Sequence, residues 1–282
     1  MEASLLRVMS FNIRGFSRRR DGINRWENRA ALNVATIKRY APDLIGLQEL
    51  RPESLATYRE KLSGYAHILG PRAGNRKPHE FNAIFFDPTR LTVLDSDGFW
   101  LSETPDRYSS AWRTRVVRSA NWVIFRDPSA GLSFLHLNTH LDHVSGLARA
   151  KGSKLILRKI MELQEDRLPV VVTGDFNCLP QSLPYRSFVE NGFEDTFLAA
   201  GNEDGEDART YHAFKGLRYF LLCCGDRVRH GRKPCRIDWI LLKNGQQCLR
   251  TETHEILRDC DAKPAIYPSD HYPILATLAP VG

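Results

Sequence analysis

The chain has 282 residues, 42% of them hydrophobic, and 40 Lys and Arg against 33 Asp and Glu. Such a composition is that of a globular protein. No apolar run nears the roughly 20 residues that span a bilayer, and Met1 to Arg7 has neither the basic start nor the apolar core of a secretory signal. The net charge of +7 suits a phosphate-rich partner, nucleic acid among them. Without a linker or composition break, residues 1–282 are expected to form one domain, monomeric and cytoplasmic.

Taken in chain order, Leu5 to Ile13 reads as a buried strand that ends in Ser10-Phe11-Asn12. Ala30, Val34 and Ile37 recur with helical spacing, which predicts a helix from about Trp26 to Tyr40, stopped by Pro42. Asp43 to Glu49 is the next buried strand, with Glu49 at its exit. Phe81–Phe86 and Leu91–Trp100 form a strand pair around Asp87-Pro88-Thr89-Arg90, and Ser119–Arg126 and Gly131–Thr139 form another, ending at His140. A helix from about Ser145 to Asp166 leads into the β-branched run Leu168 to Thr173, whose exit is Gly174-Asp175-Phe176-Asn177. Arg236–Leu242 and Tyr272–Leu278 are strands with polar starts, Asp238 in one and Asp270-His271 before the other. Antiparallel strands enter a sheet edge from the opposite side, so starts and exits meet there.

Six cysteines lie mostly in the C-terminal third. Cys223-Cys224, His230 and Cys235 invite a zinc reading, but adjacent cysteines do not easily ligate one ion and no paired C-x-x-C follows. Reduced thiols are the expectation. By contrast, Asn12, Glu49, His140, Asp175, Asn177, Asp238, Asp270 and His271 form an oxygen-rich set. Crowded carboxylates demand protons or a cation, and hard oxygen donors favour Mg²⁺, with Mn²⁺ as substitute.

The phrases Met9 to Arg14, Leu47-Gln48-Glu49, Asn138 to Leu141, Gly174 to Asn177, Arg236-Ile237-Asp238 and Ser269-Asp270-His271, in that order, resemble the endonuclease/exonuclease/phosphatase family of deoxyribonuclease I-like enzymes. Gly98 to Pro105, His140 to His143 and Thr210 to Phe214 are similar to phrases of a largely uncharacterised bacterial branch. The resemblance implies an α/β fold, a four-layer α/β/β/α sandwich of two mixed sheets. It implies a Mg²⁺-dependent phosphoesterase using direct attack by water. Glu49, Asn12 and Asp270 would serve the metal, and His140, Asp175, Asn177, Asp238 and His271 would be catalytic. Arg14, Trp112 and His212 are expected to contact substrate. Arg14 stands where some repair nucleases carry Asp, which counts against a second protein-bound metal.

Nucleic acid or nucleotides are the first substrate expectation; inositol, sugar or lipid phosphates are the alternative. A degenerate phosphate-binding protein is the reading of another class. Arg18-Arg19-Arg20, the Arg72, Arg76, Lys77 group and the basic insertion Leu217–Pro234 are candidate polyanion contacts.

Overall fold

The alternating burial of β-branched and aromatic residues resolves into two six-stranded mixed sheets packed face to face. The structure, a computed structural model, describes residues 5–15, 21–71, 80–114, 116–164, 168–216, 236–244, 248–262 and 265–281. The three basic groups named above and the Cys223, Cys224 and Cys235 positions lie outside them. Cys178 and Cys260 are free thiols.

In the first sheet, β1 (Leu6–Asn12) and β2 (Leu44–Leu50) run parallel, joined by α1 (Trp26–Tyr40), with α2 (Pro52–Lys61) following. The sheet also holds β3 (Ala66–Leu69) and β4 (Phe81–Phe86). The second contains β5 (Thr92–Trp100), β6 (Ser119–Asp127) and β7 (Leu132–His140), with β8 (Val170–Asp175) parallel to β7 through α3 (Gly146–Gln164). After α4 (Leu183–Glu190) come the short β9 (Glu194–Asp195) and α5 (Thr196–Ala199), then β10 (Asp238–Lys243), antiparallel to β8. β11 (Leu249–Ile256) and β14 (Ile274–Pro280) return to the first sheet, after a small β12–β13 ribbon (Asp261–Ala262 and Ala265–Ile266). The strand orders are β11-β14-β1-β2-β4-β3 and β5-β6-β7-β8-β10-β9. Each sheet thus has a parallel β-helix-β pair at its centre, as the two helix-linked strand pairs of the sequence predict. Both C-terminal strands begin two residues later than their apolar pattern predicts, so Asp238 opens β10.

Because side chains alternate across a strand, each sheet has two buried faces. Val8, Leu44 and Ile84 meet Phe125, Phe134, Val171 and Ile240 between the sheets. Met9, Ile45 and Leu47 point outward onto Trp26, Val34, Ile37 and Tyr58 of α1 and α2. Val170, Val172, Trp239 and Leu241 meet Ile156, Ile160, Tyr185 and Phe188 of α3 and α4. Helix, sheet, sheet and helix therefore stack as four layers.

Toward one end the layer between the sheets turns polar. There Gln48 Nε2 donates to Asn138 Oδ1 at 2.7 Å, Thr173 Oγ1 donates to the same oxygen at 3.1 Å, and Asn138 Nδ2 reaches back to the Leu47 and Ala83 carbonyls. The sheets come so close here that a Cβ on Gly46 would lie 2.0 Å from Thr173 Oγ1. Buried polar groups that satisfy one another across two sheets set their spacing and register. One step further along the same strands lies the rim.

Candidate active site

Strand register alone brings the first three groups together. His140 on β7 pairs with Asp175 on β8, and Asp175 pairs with Asp238 on β10, forming one row across three strands. Their sequence neighbours face outward: Phe176 stacks on Trp239 with ring centroids 4.4 Å apart, and both are fully buried. The aromatic pair anchors both strand ends from behind.

Asn12 reaches across from the other sheet. Its Nδ2 donates to Asp175 Oδ2 at 2.9 Å and to Glu49 Oε1 at 3.2 Å, while its Oδ1 accepts from the Arg14 N–H at 3.0 Å. Glu49 Oε2 accepts from the Gly15 N–H at 2.7 Å, and Asp175 Oδ1 from the Asn177 N–H at 2.9 Å. Arg14, Glu49 and Asn177 have φ of 57°, 59° and 49°. A left-handed conformation costs a residue other than glycine roughly 1–3 kcal/mol, and such strain gathers at functional sites.

The Ser269-Asp270-His271 segment is tied to the same place. Ser269 Oγ donates to the Asn12 carbonyl at 2.6 Å and accepts from the His271 N–H at 3.3 Å. His271 Nδ1 lies 2.9 Å from Asp238 Oδ2, and its Nε2 lies 3.8 Å from Asp175 Oδ2. Thr210 Oγ1 holds the Ile237 and Asp238 N–H groups, and the Tyr211 ring packs 4.9 Å from that of His271.

Burial would lower the His271 pKa, but the carboxylates of Asp238 and Asp175 outweigh it and push it up to about 10, so the ring is an imidazolium at neutral pH. Asp175 rises to about 7, first through burial and then through the charge of Asp238. His140 goes the other way, held well below its ordinary value by burial and by the Arg118 guanidinium. Arg118 Nη1 lies 2.9 Å from His140 Nδ1, and Arg can only donate. His140 Nε2 lies 3.4 Å from Asp175 Oδ2 and 2.9 Å from Asn177 Nδ2, which also donates to the Leu141 carbonyl. Two histidines at one rim are thus held in opposite charge states.

Burial would raise the Glu49 pKa, but the Gly15 N–H, Arg14 and His271 outweigh it and hold it low. Asp270 is raised, by burial and by the like charge of Glu49, against the pull of His271 and Arg14. Ligand atoms of Asp175, Asp238 and His271 lie within 4.8 Å of one another.

Around these groups opens a cavity of about 510 Å³, with Arg14, Arg118, Asn177 and Asp270 in its walls. Two sequence expectations need correction. His212 is fully buried, stacked on Tyr272 at 4.0 Å, and its Nδ1 accepts from the Gly216 N–H, so it cannot touch substrate. Trp112 packs against the apolar cluster shared with α3 rather than lining the cavity. Both are aromatic rings recruited for packing.

The sequence also conceals contributors. Arg29, fully buried on α1, donates to the carbonyls of Ile13, Arg14, Asn24 and Pro268, joining the first and last site segments. Asn33 Nδ2 adds a second bond to Pro268 O at 3.0 Å. Arg118 and Arg29 carried no signal except polarity, one just before a strand and the other on the buried face of a helix, and Thr210 was marked only by the phrase Thr210 to Phe214.

The sequence pattern of the endonuclease/exonuclease/phosphatase family matches residues 9–271. A solved endonuclease/exonuclease/phosphatase from Bacteroides vulgatus is 31% identical, with a TM-score of 0.83 over 99% of this chain and 100% of that one. The mannosyl-6-phosphatase of Bacteroides thetaiotaomicron is 27% identical, with a TM-score of 0.82 over 97% of this chain and 99% of that one. Rat nocturnin is 25% identical over 264 residues, which cover 88% of this chain but 56% of nocturnin, so the chain spans little more than half of that relative. With match, fold and rim in agreement, the chain belongs to the endonuclease/exonuclease/phosphatase family and is a hydrolase of phosphate esters.

Proposed function

We propose that this chain is a Mg²⁺-dependent phosphoesterase that cleaves a small phosphate ester by direct attack of water. The observation that carries the reading is the opposite charging of His140 and His271 around one carboxylate, Asp175.

The donor set fits a hard divalent cation at Glu49, with Asn12 and Asp270 beside it. Glu49 is kept ionised, and Asp270, raised first by burial and then by the like charge of Glu49, adds a further oxygen donor beside it. Asp175, Asp238 and His271 fit a cation less well, because the His271 ring is protonated and its Nδ1–H is bonded to Asp238. When bound, the ion supplies charge neutralisation at the phosphate.

The chain's own groups do the rest. Asp175, fixed through both oxygens by Asn12 and Asn177, takes the proton of the attacking water, and its value of about 7 matches a base working at neutral pH. The His271 imidazolium, oriented by Asp238, donates its Nε2–H to one phosphoryl oxygen. His140 and the Asn177 amide hold others as charge develops. Neither the nearby thiol nor the nearby serine hydroxyl suits covalent catalysis. Cys178 is pushed up to about 12 by burial, and the Ser269 hydroxyl is committed to Asn12.

The test is hydrolysis of p-nitrophenyl phosphate with Mg²⁺, with EDTA and by Asp175→Ala, beside calorimetric Mg²⁺ binding. Equal rates in the first two arms would end the metal-dependent reading.

A nucleic acid or nucleotide substrate is the second reading. It is favoured by a hollow of about 610 Å³ on the far side of Asn177, lined by Arg149, Leu179 and Gln181, which gives a diester's second arm a place. Affinity for oligonucleotides that stays flat between low and high salt would count against it.

A further inference from the structure

Beside the catalytic cavity, and sharing Glu49, Glu80, Val116, Arg118 and His140 with it, opens a side pocket of about 340 Å³. We propose that this pocket binds the alcohol half of the substrate, and that it is built for a polyhydroxylated ring of a single sugar unit. The inference rests on the phosphoesterase reading and names its substrate class.

Size sets the first limit. A hollow of about 340 Å³ accepts one hexose or one nucleoside unit. The pocket adjoins His140, so a ring seated there joins its phosphate directly to the catalytic groups.

The polar wall sets the second. Glu80 Oε1 accepts from Arg51 Nη2 at 2.6 Å, while Glu80 Oε2 lies 3.9 Å from Arg118 Nη1, an ion-pair separation too long for a hydrogen bond. Arg51 thus fixes the carboxylate and leaves its second oxygen with room to accept, and the Glu80 side chain is 34% exposed. Donor, acceptor and donor alternate along this wall as guanidinium, carboxylate and guanidinium. Neighbouring ring hydroxyls, each a donor and an acceptor, match that alternation, and charged partners make the bonds strong.

Two of the three aromatic rings that line the pocket, Trp100 and Tyr108, meet edge to face with centroids 4.8 Å apart at 77°, and Phe81 is the third. They form an apolar flank for ring carbons. Asn82 Nδ2 donates to the Ser119 carbonyl at 2.7 Å, which ties the two strands that form the floor.

The experiment compares the full chain with Glu80→Gln, both with Mg²⁺, on a hexose 6-phosphate, a ribonucleoside 5′-monophosphate and p-nitrophenyl phosphate. Loss of a charged hydrogen bond should lower kcat/KM for the hexose phosphate relative to p-nitrophenyl phosphate by roughly ten-fold, mainly through KM. An unchanged ratio, or a wild-type preference for the nucleotide over the hexose phosphate, would overturn the proposal. If no substrate is turned over, the phosphoesterase reading fails separately. Saturation-transfer NMR of the hexose phosphate on metal-free protein then decides: a signal lost in Glu80→Gln upholds the pocket, and no signal in the unaltered chain refutes it.

Discussion

Asp238→Asn tests the electrostatic logic of the site most directly. Asp238 Oδ2 and His271 Nδ1 are 2.9 Å apart, both residues are buried, and Asp238 is the leading cause that raises His271 to about 10. A hydrogen bond to a charged group contributes about 1.5–3 kcal/mol, and one pKa unit corresponds to about 1.36 kcal/mol, so the ring should fall by about 1–2 units. Asp175, 3.8 Å from Nε2, retains the remainder of the elevation. The sign follows from a folded pKa raised above the unfolded value. The stability contributed by the imidazolium is complete below about pH 6.5 and is lost as pH rises through about 10. In the variant that loss comes earlier, near pH 8 to 9 (about 10 less the estimated 1–2 units). Losing the Asp238 charge also lets Asp175 ionise below about 7. Both limbs of the pH profile of kcat/KM should therefore move to lower pH together, which simple structural damage does not produce. Ring NMR titration of His271 in metal-free protein gives the same answer without turnover. A ring that still titrates within half a unit of the unaltered protein's would refute the reasoning.

Three further outcomes are expected. Gly46→Ala drives a methyl into Thr173 Oγ1 at 2.0 Å and Asn138 Oδ1 at 2.7 Å, where the sheets are closest. Overpacking of that kind costs about 1–3 kcal/mol, and thermal melts should show a lower Tm that Thr173→Ala only partly restores. Arg29→Met leaves the carbonyls of Ile13, Arg14 and Pro268 without their donor. Removing such a buried charged partner costs about 3–5 kcal/mol, or roughly 10 °C in Tm, and an unchanged melt would show that Asn33 alone holds the segment. Glu49→Gln should weaken calorimetric Mg²⁺ binding by about ten-fold or more, as loss of an ionised oxygen ligand implies; equal affinity would move the cation to other ligands.

Much of the site was legible before folding because strand ends are written locally. A β-branched run followed by Gly174-Asp175-Phe176-Asn177 marks both the strand and the polar group at its exit, and the same holds for Asn12, Glu49 and His140. The parallel pairs are equally local, since each is a strand, an amphipathic helix and a strand. Short edge strands and helices were less visible. Thus β3 and β9 have too few residues for a period, β11 alternates weakly at an edge, and α4 is opened by Pro184 rather than by an apolar stripe.

Which polar residues work together was a tertiary decision. Arg118 meets His140 across 22 positions, and Arg29 joins Ile13 to Pro268 from the first turn of a helix. His212 and Trp112 looked equally suited to substrate, yet packing took them. The side pocket with Glu80 is lined from β4, β5, β6 and the segment before β6, which meet only in the folded chain. Residue chemistry and periodicity by themselves determined the helix-linked strand pairs and the polar residues at their exits, because these are properties of short segments; the two-sheet α/β sandwich was implied by the family resemblance. Charge states, the clamps and the shape of the pocket depend on which sheets meet and how closely, and those distances arise only when remote segments pack.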